Sequence, residues 1–169
     1  PLLSWRVRIL PFLGKKGQEI YKEFNLREPW DSPHNKLLLN QMPKEFRNPN
    51  SSAPPNTTTY LMPTGPQCIT SSKNKIRLKE IGDALKDTVI LVEVNDALAV
   101  PWTKPVDWDY DKQEPLAGLG SAHPEESIFE KEFVTLRANF LPKFISANIS
   151  ENDWNAALTI AGNESHQLD

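Results

Sequence analysis

Thr88-Val89-Ile90-Leu91-Val92-Glu93-Val94 decides the fold. The run is β-branched and apolar at successive positions, so both faces of the strand it predicts must be buried, and it belongs at the centre of a sheet. Before it, Leu78, Ile81 and Leu85 are spaced as in a short helix. Further upstream, residues 58–62 have the β-branched and aromatic content of another strand, stopped by Pro63-Thr64-Gly65-Pro66. Downstream, residues 133–137 and 143–146 read as two short strands joined through Asn139-Phe140-Leu141-Pro142 as a turn or bulge.

The helical signals lie at the two ends. Ser4 is placed to cap a helix carrying Trp5, Ile9, Phe12 and Leu13 on one face, with Pro11 kinking or ending it. Trp5, Val7 and Ile9 also alternate with Arg6 and Arg8 as in a strand, and helix is the favoured reading. After a break at residues 14–17, Ile20, Tyr21 and Phe24 predict a second amphipathic helix to about Asn25. Asp31-Ser32-Pro33 reads as a helix start, with Ser32 as N-cap, Pro33 in the first turn, and Leu37, Leu38 and Met42 toward the buried side. At the other end Ser150 and Asp153 form a box-like cap, Trp154, Ala157, Leu158 and Ala161 the buried stripe, and Gly162 the stop. Helices, isolated strands and a final helix lack the regular alternation of a parallel sheet. They predict an α+β domain with a small, mostly antiparallel sheet packed against helices.

Length and composition bound the rest. The 169 residues fit one soluble domain, 1–169, with an acidic tail at 163–169 that should fray. Net charge is −3 with both signs interspersed and no basic face with interleaved aromatics, which disfavours nucleic acid. Cys68 stands alone, so there is no internal disulfide framework and no multi-thiolate zinc site, and it reads as a small buried hydrophobe. Fifteen prolines against seven glycines suggest long but ordered connections, among them the turn-rich, exposed stretch 48–57. The chain begins Pro1-Leu2 without the succession of an export signal, so any signal or anchor is expected upstream or removed.

Two motifs remain, Trp30-Asp31-Ser32-Pro33-His34-Asn35-Lys36 and Ala99-Val100-Pro101-Trp102-Thr103-Lys104-Pro105. Neither supplies a nucleophile with its base, a phosphate cradle or a full metal-ligand set. His34 reads as a surface or cap histidine, and Ser32 and Asp31 as cap residues. Together with Ser4-Trp5-Arg6-Val7, Leu10-Pro11-Phe12-Leu13, Met42-Pro43 and the central strand, in that order, they resemble the prepilin-like family called domain of unknown function 1559, expanded in planctomycete-type bacteria. The resemblance extends from about Ser4 to about Glu164. It implies an exported, extracytoplasmic pilin- or pseudopilin-like head domain with no enzymatic activity; no cofactor is expected, with calcium as the one candidate, since some pseudopilins use a loop calcium. It also implies protein partners or self-assembly, and a membrane-anchoring segment absent here. Three positions depart from the family pattern: Asp83-Ala84-Leu85-Lys86-Asp87-Thr88 replaces a Gly-containing turn, His123 is followed by a longer stretch, and Asn139-Phe140 stand where Asp-Gly is usual.

Candidate chemistry is confined to a short region. Asp107, Asp109 and Asp111 alternate with aromatics and match the start of a calcium loop, although Lys112 and Gly118 stand where an EF-hand needs Gly and Glu. Trp102, Lys104, Trp108 and Tyr110 in the same proline-stiffened region suit a carbohydrate or partner surface, with core packing as the alternative for Trp102. Glu125, Glu126, Glu130 and Glu132 read as a solvated acidic face. The leading function class is a non-enzymatic interaction domain. The second is a carbohydrate- or calcium-binding module using residues 102–111.

Overall fold

The computed structural model describes residues 1–66, 68–70, 77–82, 84–120 and 132–159, except the side chain of Leu78. The chain forms two compact units, Pro1–Thr59 with Leu98–Val106, and Tyr60–Ala97 with Asp107–Asp169. Among the described residues the strands are, in chain order, β1 (Thr57–Thr58), β2 (Tyr60–Leu61), β3 (Pro63–Thr64), β4 (Val89–Glu93), β5 (Val100–Pro101), β6 (Trp108–Asp109), β7 (Glu132–Arg137) and β8 (Pro142–Ser146). With three α-helices and several 3-10 turns among the described residues, this is an α+β architecture with small, mostly antiparallel sheets. Of the strand pairings among the described residues only β3 with β6 is parallel.

In the first unit the Ser4 hydroxyl accepts a hydrogen bond from the Arg6 N–H and starts α1 (Trp5–Ile9). Pro11 has no N–H to continue the ladder, so the chain tightens into a 3-10 turn at Leu10–Phe12 before α2 (Gly14–Glu23). Gly17 is fixed by contact. A Cβ there would lie 2.2 Å from the Leu10 carbonyl oxygen, so α2 packs on the preceding turn only with glycine.

Asp31-Ser32-Pro33 does not open the expected α-helix. Residues Asn35–Gln41 wind as a 3-10 helix, whose three residues per turn point Leu38 into the core and leave Leu37 outside, at 73% exposure. The N-cap of this helix is His34 rather than the expected Ser32, and it makes no side-chain capping bond; Ser32 instead holds the turn ahead of it, its Oγ accepting from the Asn35 N–H at 3.1 Å and its carbonyl from the Lys36 N–H at 2.9 Å. Asn35 holds the segment in place. Its buried carboxamide donates to the carbonyls of Asn25, Glu28 and Pro29 at 3.0, 3.2 and 3.0 Å, and accepts from the Asn25 N–H at 3.0 Å. The core of this unit joins Val7, Leu10, Ile20, Phe24, Leu38 and Phe46 to Trp102. Trp102 stacks on Phe46 and meets Phe24 edge-on, each at 5.8 Å.

In the second unit the four-stranded sheet runs β2-β4-β7-β8, with β4 inside it as its apolar pattern requires. The strand expected over 58–62 is divided: β1 pairs with β5 in the first unit and β2 with β4 in the second. At the end of β4 the Glu93 carboxylate accepts the Val134 N–H at 3.1 Å, while the Glu93 carbonyl accepts from Gly120. A side chain thus continues the β7 ladder where the β4 backbone turns to another partner. The helix expected from Leu78 to Leu85 is a single 3-10 turn, Leu78–Glu80, with Leu85 outside it. In α3 (Glu151–Leu158) the Ser150 Oγ accepts from the Asp153 N–H and its hydroxyl donates to the Asp153 carboxylate. This helix ends earlier than expected, because Thr159 turns to extended backbone. Ala161, Gly162 and the tail 163–169 lie outside the described residues. Trp154 of α3 packs edge-on against Phe133 at 5.1 Å.

Asn35→Ala removes the partner of the Asn25 N–H and of the Glu28 carbonyl, while the Asn25 and Pro29 carbonyls keep the N–H groups of Glu28 and Ser32, so it is expected to lower stability by about 2 kcal/mol in urea unfolding with an unchanged slope. Asn35→Asp, which aims a carboxylate at three carbonyls, should cost more than the alanine.

Candidate functional site

The candidate residues divide between the two units. Trp102 and Lys104 belong to the first; Asp107, Trp108, Asp109, Tyr110 and Asp111 belong to the second. Trp102 is fully buried, its indole N–H donates to the Leu39 carbonyl at 3.0 Å, and its backbone N–H donates to the Asn56 carbonyl at 3.1 Å. The Lys104 ammonium lies 5.8 Å from the centre of the Trp30 ring, which joins the two rare motifs through one cation–π contact. His34 is exposed and its Nε2 lies 2.7 Å from the Glu23 carbonyl.

The segment 107–111 is zipped along β3. Its N–H groups at Trp108 and Tyr110 donate to the carbonyls of Met62 and Thr64 at 3.0 Å each. Asp107 accepts the Met62 N–H at 3.0 Å and Asp111 the Gln113 N–H at 2.9 Å, while Asp109 is exposed. Two of the three acids therefore already serve backbone donors. Among the described residues no three His, Cys, Asp or Glu side chains converge as a metal site. Trp108 is buried and donates its indole N–H to the Ala117 carbonyl at 3.1 Å. Tyr110 is the one aromatic of the segment left half-buried, and its hydroxyl donates to the Asn155 side chain at 2.5 Å.

Near Tyr110 sits Cys68. Burial, with the Asp109 carboxylate adding to it, pushes the thiol up to about 11. Burial also raises Tyr110, with Cys68 and Asp111 contributing, and raises Tyr60, with Glu93 contributing. Of the acidic stretch, Glu132 is exposed at the start of β7, whereas Glu125, Glu126 and Glu130, like Asp83 and His123, lie outside the described residues.

Two further features bear on function, an exposed apolar tip on a turn that the sequence marks and a cleft that no motif marks. In the hairpin between β7 and β8, Phe140 adopts a left-handed backbone with φ of 63°. Phe140, Leu141 and Phe144 are there 63%, 62% and 57% exposed. In the first unit, α2, the turn at Lys44–Phe46 and the proline-rich stretch 48–57 enclose an open cleft of about 710 Å³. Leu13, Ile20 and Met42 form its apolar lining and Pro43, Pro49 and Pro55 line it too. The stretch 48–57 is thus a wall as well as a connection, tied in by buried Asn48 and Ala53. Asn56, at the rim with φ of 64°, donates to the Asn40 side chain at 2.8 Å.

Cys68, Tyr60 and Tyr110 hold their protons more tightly folded than unfolded, so the stability they contribute is full at neutral pH and is lost as pH rises past the unfolded-chain values and through the raised folded ones. The urea midpoint is expected to be lower at about pH 10 than at about pH 8, and Cys68 should react with a thiol reagent far faster in urea than in the native chain. Calcium at about 1 mM, the weak end of extracellular sites, is expected to leave the melting temperature unchanged; a rise of several degrees would establish a site at 107–111. No family model, curated protein or solved structure matches the chain.

Proposed function

We propose that the chain is a non-enzymatic interaction domain, the extracytoplasmic head of a pilin-like protein, which packs against further copies of itself through the β7–β8 hairpin. The observation that carries this reading is the exposed apolar tip Phe140-Leu141 with Phe144 beside it. A phenylalanine held at positive φ costs free energy in the isolated chain, and a contact made by its ring repays that cost. Among the described residues β8 is the outer strand of its sheet, so its backbone edge offers antiparallel pairing to the same strand of another copy in a two-fold contact. Pro142 and Lys143 on that edge keep the association weak and reversible. The resemblance in Trp30 to Lys36 and in Val100 to Pro105 supports the same reading. No helix among the described residues is long and apolar enough to cross a membrane.

Sedimentation equilibrium up to about 1 mM should show a monomer–dimer equilibrium. Phe144→Lys and Phe140→Ser should shift it to monomer with an unchanged circular dichroism spectrum. A wild-type chain that stays monomeric throughout sinks this reading.

A further inference from the structure

The cleft of the first unit carries charge of one predominant sign. Among the described residues Lys16 on α2, with Lys44 and Arg47 at the turn opposite, line it against a single carboxylate, Glu45. All four are exposed, and among the described residues none makes an ion pair or a side-chain hydrogen bond. This local excess of positive charge stands against the trend of a chain whose net charge is −3. Between the cations lies the apolar lining of Leu13, Ile20 and Met42, and the fixed backbone of Pro43, Pro49 and Pro55 limits how much ordering a ligand must impose.

We infer that this cleft binds an extended, acidic polypeptide segment, its aliphatic side chains on Leu13, Ile20 and Met42 and its carboxylates against Lys16, Lys44 and Arg47. The charge of the rim and the apolar floor together require a ligand with both kinds of group. A nucleic acid would supply the negative charge, but among the described residues no aromatic ring lines the cleft for its bases to stack on. Aliphatic side chains, by contrast, match the floor, and a chain in extended conformation fits an open trough between proline walls. The inference is independent of the hairpin and stands or falls without it.

The test is fluorescence anisotropy of the whole chain with a labelled octapeptide alternating Leu and Glu, beside the matched peptide of Leu and Lys. The acidic peptide should bind with an affinity that falls as salt is raised, and the basic one should not bind. Joint Lys44→Glu and Arg47→Glu substitution, at exposed positions that leave the core untouched, should weaken the acidic peptide by about tenfold or more. Lys16→Glu should act in the same direction. Phe144→Lys in the hairpin should leave binding unchanged, which separates this inference from the self-association reading. Equal binding of both peptides, indifference to the charge reversals, or complete displacement by free glutamate at matched carboxylate concentration would overturn it.

Discussion

The first unit depends on one buried carboxamide. Asn35 is fully enclosed, and its side chain bonds the Asn25 N–H and the carbonyls of Asn25, Glu28 and Pro29, beside the bonds that Glu28 and Ser32 make to the same loop, which no helix or sheet reaches. Inside a medium of low polarity those hydrogen bonds are strong when made and costly when missing, so the loop has one arrangement rather than several. That arrangement delivers Trp30, whose N–H donates to the Leu2 carbonyl at 2.9 Å and whose ring lies under Lys104. Two residues on, the Ser4 N–H donates to the Thr103 carbonyl at 3.0 Å. The amino-terminal strip is thereby laced to both rare motifs, one on each side.

A related device recurs in the buried tryptophans. Trp102, Trp108 and Trp154 each fill the core and each hand the indole N–H to a backbone carbonyl, of Leu39, Ala117 and Pro115 respectively. A chain with short strands and many prolines leaves carbonyls outside regular ladders. Tryptophan joins large apolar area to one donor, and so suits both needs at once. The two tryptophans of residues 102–110 thus serve irregular backbone, while Tyr110 hands its hydroxyl to the Asn155 side chain.

What was legible in the residues was what local chemistry determines. The β-branched run of β4, the β7–β8 hairpin and the Ser150 cap of α3 all carry their signal within a few positions. The segment after Ser32 was misread because Ser and Pro open an α-helix and a 3-10 helix alike, so Leu37 was assigned to the core on the wrong period. The division of 58–62 was illegible for another reason. Both halves are β-branched or aromatic, and their partners, at residues 92–93 and 100–101, are distant in the chain. Of the candidate site, the aromatic and acidic residues were found, but bulk alone does not tell a buried ring from a binding platform. The cleft has no local signature, because residues 13–20, 42–49 and 55–56 each contribute a few side chains, none of them in a recognisable spacing.

The return of Leu98–Val106 to the first unit bears on how this protein is made. A ribosome delivers the chain in order, so everything from Pro1 to Thr59 emerges while the ring that completes its core, Trp102, is still unsynthesised. Until then Phe24, Phe46 and Leu38 face an unfilled space, and a helix-rich fragment with exposed aromatics persists for as long as residues 60–97 take to be translated. Closing the long loop is the step that ends that exposure. Nascent chains stalled before residue 102 should therefore be the ones that engage chaperones, and the amino-terminal unit cannot be excised as a contiguous piece without losing the tryptophan at its centre.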